Sequence, residues 1–294
     1  MNKSEHFKSG FVAVVGRPNV GKSTMINALI GDKIAIVSDK AQTTRNRIIC
    51  VYTDEEKQIV FMDTPGVHKP KHKLGEFMVD AAIESLKETE AVLFVVAGNE
   101  KRGPGDNFII EQLKRVKVPV FLVVNKIDTL QKEQLLEAIV SYQDAYPFAG
   151  VIPISAKNKD NLEELLNVLS KNLPEGPQYF PEDMITDQPE RLIISDIVRE
   201  KILLSTRDEI PHAIAVDVDE MKTRDDGTTY IRATIYCERD SQKGIIIGKK
   251  GALLKQLGAE ARADIQKLLA TKVYLDLWVK VKKDWRNKSG MLSE

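Results

Sequence analysis

Through the first 173 residues, short apolar runs alternate with amphipathic stretches. Residues 11–15 (FVAVV), 59–62, 91–97, 120–124 and 151–154 are brief and rich in valine and isoleucine, as strands buried on both faces are. Between them, 74–87, 108–115, 132–141 and 162–172 carry apolar residues at helical spacing. Strands alternating with helices predict an α/β domain on a mostly parallel sheet over residues 8–173. The pattern breaks at 172–189, which holds Pro174, Pro177, Pro181 and Pro189, four of the twelve prolines. Proline neither donates to a ladder nor continues a helix, so 174–189 reads as a semi-rigid linker. Beyond it, 190–205 is helical, with Ile193 and Ile197, then Ile194, Val198 and Ile202, at four-residue spacing. Residues 213–218 and 229–237 alternate as strands around a loop containing Asp226 and Gly227. A short segment at 245–251, a helix over 252–270 and a strand over 273–281 complete the order αββααβ. The second domain is therefore a smaller α+β unit over 190–283, followed by a tail, 284–294.

The chain has 294 residues, enough for about two domains. With 43% hydrophobic and 29% charged residues it is unlike a disordered polyanion or polycation. Runs such as 91–97 and 118–124 are too short to span a bilayer, and 1–10 lacks the apolar core of a secretory signal. The expectation is a soluble, cytoplasmic protein. Cys50 and Cys237 stand alone, which excludes a disulfide framework and a cysteine-rich zinc site. Net charge is zero, yet residues 239–294 hold 13 Lys and Arg against 6 Asp and Glu, an excess of seven positive charges balanced by the rest of the chain. Such an end either meets a polyanion or is simply solvated.

The strongest chemical signal is Gly16, Arg17, Pro18, Asn19, Val20, Gly21, Lys22 and Ser23, followed by Thr24. This is G-x-x-x-x-G-K-S, placed after a strand and opening a helix, the setting of a phosphate-binding P-loop. Glycines let backbone N–H groups approach phosphate oxygens, and the helix N-terminus adds a favourable dipole. Lys22 is expected to reach the β- and γ-phosphates, and the Ser23 hydroxyl to hold Mg²⁺. Asp63, Thr64, Pro65 and Gly66 follow the strand at 59–62. D-x-x-G occurs by chance about once per chain, so only its place after a P-loop gives it weight. There Asp63 holds the Mg²⁺ and the Gly66 N–H senses the γ-phosphate. Asn125, Lys126 and Asp128 end the strand at 120–124. A carboxylate at Asp128 accepts two hydrogen bonds from N1–H and the exocyclic amine of guanine, a donor pair adenine lacks. Asn125 is expected to tie this loop to the P-loop, and Lys126 to cover the base. Ser155, Ala156 and Lys157 end the next strand, with the Ala156 N–H available to guanine O6. All these elements stand at strand ends, where open α/β sheets bind ligands.

This set resembles the translation-factor class of P-loop GTPases, with a Ras-like G domain. Gly248, Lys249, Lys250 and Gly251, after Ile246 and Ile247, resemble the G-x-x-G loop of a type II KH domain, which clamps about four single-stranded nucleotides. The pairing is similar to the Era family of bacterial ribosome-assembly GTPases over essentially the whole chain. The resemblance implies GTP hydrolysis to GDP with Mg²⁺, binding of the 3′ end of 16S rRNA, and a role in maturing the 30S subunit as a monomer. It also implies Thr44, with Thr43 as the alternative, as a second hydroxyl on Mg²⁺, so that Lys22, Thr44 and Gly66 form the catalytic set. In RNA binding it implies Ile246, Ile247, Gly248, Lys249, Lys250, Gly251 and Lys283. Val67 occupies the position where Ras-type enzymes place a water-orienting glutamine, so slow intrinsic turnover is expected. Asn19 is similar to an asparagine that holds K⁺ in some relatives. The GTP and GDP forms are expected to differ in domain arrangement and RNA affinity. The alternatives are an RNA-anchored module with a structural nucleotide, or a GTPase of tRNA modification or of membranes, with peripheral membrane association open in any case. His68 and His72 flank Pro70 without a third ligand and read as a solvated loop. Trp278 and Trp285 lie near the basic end where they could stack on bases, although strand membership assigns Trp278 to the core instead.

Overall fold

Residues 11–15 are all apolar, and in the computed structural model they belong to a central strand rather than an edge. The structure describes residues 6–32, 34–35, 48–63, 88–206, 210 and 213–283. The chain divides into two compact units, with the boundary in sequence between Asp187 and Gln188.

The first unit contains β1 (Lys8–Val15), α1 (Lys22–Ile30), β2 (Ile48–Thr53), β3 (Lys57–Asp63), β4 (Ala91–Ala97), α2 (Pro104–Leu113), β5 (Val120–Asn125), α3 (Lys132–Gln143), β6 (Gly150–Pro153) and α4 (Leu162–Asn172). Its sheet runs β2-β3-β1-β4-β5-β6, with every neighbour parallel except β2 against β3. Strands β3, β4 and β5 are buried along their whole length, as a sheet covered on both faces requires. One face packs Val12, Val14, Met25, Ile26, Leu93 and Leu165, and the other packs Val15, Phe94, Ile109, Leu122 and Tyr142.

Strand β2 was not anticipated. It joins β3 by a hairpin in which Asp54 Oδ1 accepts hydrogen bonds from the Glu56 and Lys57 N–H groups, both at 2.9 Å. A reading that alternates strand and helix has no place for a hairpin. The amphipathic stretch at 74–87 lies outside the described residues.

The proline-rich segment is tied into this unit. Ser9 N–H donates to Pro174 O at 3.1 Å, and Gly176 N–H to Phe7 O at 3.0 Å. The buried Gln58 amide accepts from the Tyr179 and Phe180 N–H groups at 2.8 and 3.0 Å and donates to Phe180 O at 2.9 Å. Further on, Val51 N–H donates to Ile185 O, and the Thr186 hydroxyl donates to Ile49 O at 2.7 Å. The segment thus covers the exposed edge of β2, which as an unpaired edge would invite association.

The second unit contains α5 (Glu190–Ser205), β7 (Ala215–Thr223), β8 (Thr229–Cys237), α6 (Asp240–Ile247), α7 (Ala252–Leu269) and β9 (Val273–Val281). Its sheet runs β7-β8-β9, with β7 antiparallel and β9 parallel to β8. Ile194, Val198, Ile231, Ile235, Leu257, Ala261 and Ile265 belong to its core. Both cysteines are buried and reduced, and burial raises their thiols above the ordinary range, so neither is poised as a nucleophile.

Candidate nucleotide site and nucleic-acid loop

Between β1 and α1 the chain makes the predicted tight wrap. Gly21 has φ +97 and caps α1 without a side chain. A Cβ added there would lie 2.2 Å from the Asn125 side-chain nitrogen, so only glycine lets the P-loop and the base loop approach this closely. Lys22 is buried, and its Nζ donates to Gly16 O and Arg17 O, both at 3.1 Å. Burial lowers its pKa to about 8, a shift the Asp63 carboxylate partly offsets. Pro18 and Thr24 are half-buried beside this turn, Val20 is buried, and Asn19 is exposed with φ +66.

Ser23 Oγ donates to Asp63 Oδ2 at 2.9 Å, and Asp63 is fully buried. A hydroxyl and a carboxylate side by side are hard oxygen donors of the kind Mg²⁺ takes alongside phosphate oxygens and water. Among the described residues no cluster of three or more His, Cys, Asp or Glu could hold a metal by itself. Thr44, Thr64, Pro65 and Gly66 lie outside the described residues, as do Val67, His68 and His72.

The base-reading loops are built as an interlock. Asn125 Nδ2 donates to Val20 O at 2.8 Å, which joins β5 to the P-loop, and its Oδ1 accepts the Ala156 N–H at 3.0 Å. The Ala156 N–H expected at guanine O6 is therefore already engaged, so a base oxygen would share or displace that bond. Lys126 stands at φ +68 and leads into a 3₁₀ turn at Ile127–Thr129. The exposed Asp128 carboxylate is fixed from behind, because Ser155 Oγ donates to its Oδ1 at 2.6 Å. Lys157 is exposed beyond it.

A second network was not foreseen from the sequence. Arg17 Nε donates to Asp106 Oδ1 at 2.8 Å, and its Nη2 to Glu100 Oε2 at 3.0 Å. The other Glu100 oxygen lies 3.7 Å from Lys126 Nζ. Asp106 is fully buried and also accepts the Gly103 N–H at 2.8 Å, capping α2. Glu100 thus bridges the P-loop and the base loop. The available signal was Gly103, Pro104 and Asp106, a helix start with proline at its first position.

In the second unit, Gly248 has φ +73, and a Cβ there would lie 2.7 Å from Leu253 Cβ. Lys249 and Lys250 are exposed, and Gly251 begins α7 with φ +79. Ile246, expected in RNA binding, is fully buried in the core, where it has no surface to offer a base. Ile247 is half-buried, while Ile245 is 53% exposed beside it. Lys283 is exposed. Trp278, expected in the core, is 53% exposed instead. It falls on the sheet face that the helices leave open.

Comparison with known proteins agrees with this geometry. A family model described as a 50S ribosome-binding GTPase matches residues 11–126, and a KH-domain model matches residues 209–286. Two solved structures are similar over the whole length, each 43% identical, covering 98% of both chains, with a TM-score of 0.94. One is Era in complex with MgGDPNP and nucleotides 1506–1542 of 16S ribosomal RNA. The other is an alanine variant of Aquifex aeolicus Era bound to GDP and AlF4⁻. With an interlocked nucleotide site in the first unit, a glycine-bounded lysine loop in the second, and this identity along the full chain, the protein belongs to the Era family of GTPases.

Proposed function

We propose that this GTPase couples GTP hydrolysis to binding of the 3′ end of 16S rRNA during maturation of the 30S subunit. The observation that carries the reading is Asn125, whose amide spans Val20 O and the Ala156 N–H and makes one guanine site of three loops. Lys22 neutralises the phosphates. Ser23 and Asp63, with Thr44, hold Mg²⁺, which when bound supplies charge stabilisation at the transferring phosphoryl group. The Gly66 N–H orients the γ-phosphate. Asp128, fixed by Ser155, selects guanine. Val67 cannot orient water, so positioning falls to other groups, and a K⁺ ion held at Asn19 would supply the charge of an arginine finger. The RNA lies on Gly248–Gly251, with Ile247, Ile245 and Lys283 beside it. The protein works as a monomer in the cytoplasm. Among the described residues no helix is long and apolar enough to cross a membrane, so any membrane contact in this reading is peripheral to those elements.

The deciding measurement is GTP hydrolysis with and without a short RNA copied from the 3′ end of the small-subunit rRNA. RNA is expected to change the turnover rate, and its affinity is expected to differ between GDP and a non-hydrolysable GTP analogue. An RNA-anchored module with a structural nucleotide predicts bound GTP that never turns over. Single-turnover rates equal in Na⁺ and K⁺ buffers would remove the role given to Asn19.

A further inference from the structure

Strand β9 is an edge strand, and its side chains alternate between two surroundings. Leu275, Leu277 and Val279 pack toward the helices of the second unit. Tyr274, Asp276, Trp278 and Lys280 point the other way, onto the open face of the sheet. Tyr274 and Trp278 are each 53% exposed. Burial of such large apolar rings is worth several times the thermal energy, so two exposed on one strand call for an occupant.

The rings are held in place. Trp278 Nε1 donates to Asp276 Oδ2 at 3.0 Å, and the Tyr230 hydroxyl donates to the same oxygen at 3.2 Å. Tyr274 stacks on Tyr230, with ring centroids 5.9 Å apart and planes 16° from parallel. The Arg224 guanidinium sits 4.8 and 4.9 Å from the two ring centres. Little rotamer freedom remains to be lost when a flat ligand arrives.

Charge on this face is divided. Asp217, Asp219 and Glu220 lie on the β7 side, where Glu220 pairs with Lys222 and Arg232. Asp276 is shared among Arg232, Trp278 and Tyr230. On the β9 side, Lys280 lies opposite Tyr236, and Lys282 sits 5.4 Å from the centre of that ring. Among the described residues no carboxylate lies within ion-pairing distance of Arg224, Lys280 or Lys282. The Thr228 N–H, and to a lesser degree the nearby Arg224, hold the Asp226 carboxyl below the ordinary range, but Asp226 does not pair with Arg224. Fixed aromatic rings flanked by cations outside close ion pairs offer a single nucleic-acid strand faces for bases and charge for phosphates.

We propose that the open face along β9, with Tyr274 and Trp278 as stacking platforms and Arg224, Lys280 and Lys282 as phosphate contacts, is a second RNA site. It takes single-stranded nucleotides beyond those held at Gly248–Gly251. The two rings stand four positions apart, about 13 Å along the strand, so they receive different bases of one extended strand. The proposal rests on the RNA-binding reading of the second unit.

The test uses the full chain, with a six-nucleotide and an eighteen-nucleotide single-stranded RNA sharing one core sequence, and measures affinity by fluorescence anisotropy. Trp278→Ala and Tyr274→Ala are each expected to weaken the long RNA roughly five- to a hundredfold and to leave the short one within twofold. Gly248→Asp should weaken both, and its failure to do so would remove the RNA reading itself rather than this site. In a Trp285→Phe background, Trp278 is the sole tryptophan, and its emission should be quenched by the long RNA alone. This second readout needs no change to the platform. Equal effects of the aromatic substitutions on both RNAs, or no effect with emission unchanged, would overturn the proposal and leave the face to a protein partner or to none.

Discussion

In the proposed guanine site, Asp128 is positioned by Ser155. The 2.6 Å bond leaves the carboxylate facing outward with one acceptor geometry. Asp128→Asn inverts the donor–acceptor match, so the preferred base should change from guanine to xanthine, as competition between GTP and XTP would reveal. Lys22 gives a prediction in pH. Its pKa is lowered to about 8, and a bound triphosphate favours the charged form and raises it again. Nucleotide binding above pH 8 should therefore take up a proton, and affinity should fall as pH rises from 8 to 9. Calorimetry at pH 8.5 in two buffers of different ionisation enthalpy measures that uptake; identical heats would show that Lys22 stays charged throughout. The Glu100 bridge between Arg17 and Lys126 argues for a positioning role. Glu100→Gln keeps the shape but weakens a charge-assisted bond, usually worth about 1.5–3 kcal/mol. Partial exposure of Glu100 reduces that effect. GDP and GTP should both dissociate several-fold faster while the single-turnover hydrolysis rate is unchanged.

Elements were legible where their pattern was local. The parallel strands β1, β4 and β5 and the leucine face of α4 follow directly from apolar runs and helical spacing. The tight turn before α1 and the tie from Asn125 to it were legible, because the glycines and the asparagine stand at fixed places after strands. What was not legible depended on partners distant in sequence. Strand β2 is as apolar as its neighbours, but its place is set by the hairpin to β3. Helix α2 begins at Pro104, four residues before its apolar periodicity, because Asp106 caps it while also holding Arg17. Trp278 lies within an apolar strand, yet alternation puts it opposite the core, a matter of register that composition does not carry. The prolines suggested a spacer, while Gln58, 121 and 122 residues away from its partners, binds that segment to the sheet. Gln58→Leu would leave the Tyr179 and Phe180 N–H groups without that acceptor. Each orphaned group costs about 1–3 kcal/mol, so urea unfolding should shift by at least that amount, with faster proteolysis between 176 and 187. An unchanged midpoint and cleavage rate would mean that the segment is held by its other bonds.

At the scale of the molecule, zero net charge conceals two opposed fields. Residues 239–294 carry seven excess positive charges and the remainder seven excess negative ones. A polyanion is therefore favoured by the charge of residues 239–294 and disfavoured by that of the rest of the chain, so electrostatics biases where it binds before any specific contact forms. Affinity for single-stranded RNA should then depend strongly on salt. If Lys249, Lys250, Arg224, Lys280 and Lys282 each neutralise one phosphate, the slope of log affinity against log salt is about −3.5. Between 50 and 200 mM salt, affinity should fall by roughly a hundredfold. The lysine proposed to meet GTP is buried, where salt screens it less, so the affinity for GTP should respond less. Replacing Lys249 and Lys250 together by glutamine should make the slope shallower by about 1.4 and leave turnover without RNA unchanged, because neither lysine is near the P-loop in sequence or in its unit. A slope unaltered by the double substitution would move the phosphate contacts off the glycine-bounded loop. A slope that vanished would concentrate all of them there and leave none for β9. Only an intermediate slope is compatible with RNA held at both places on a single cationic unit.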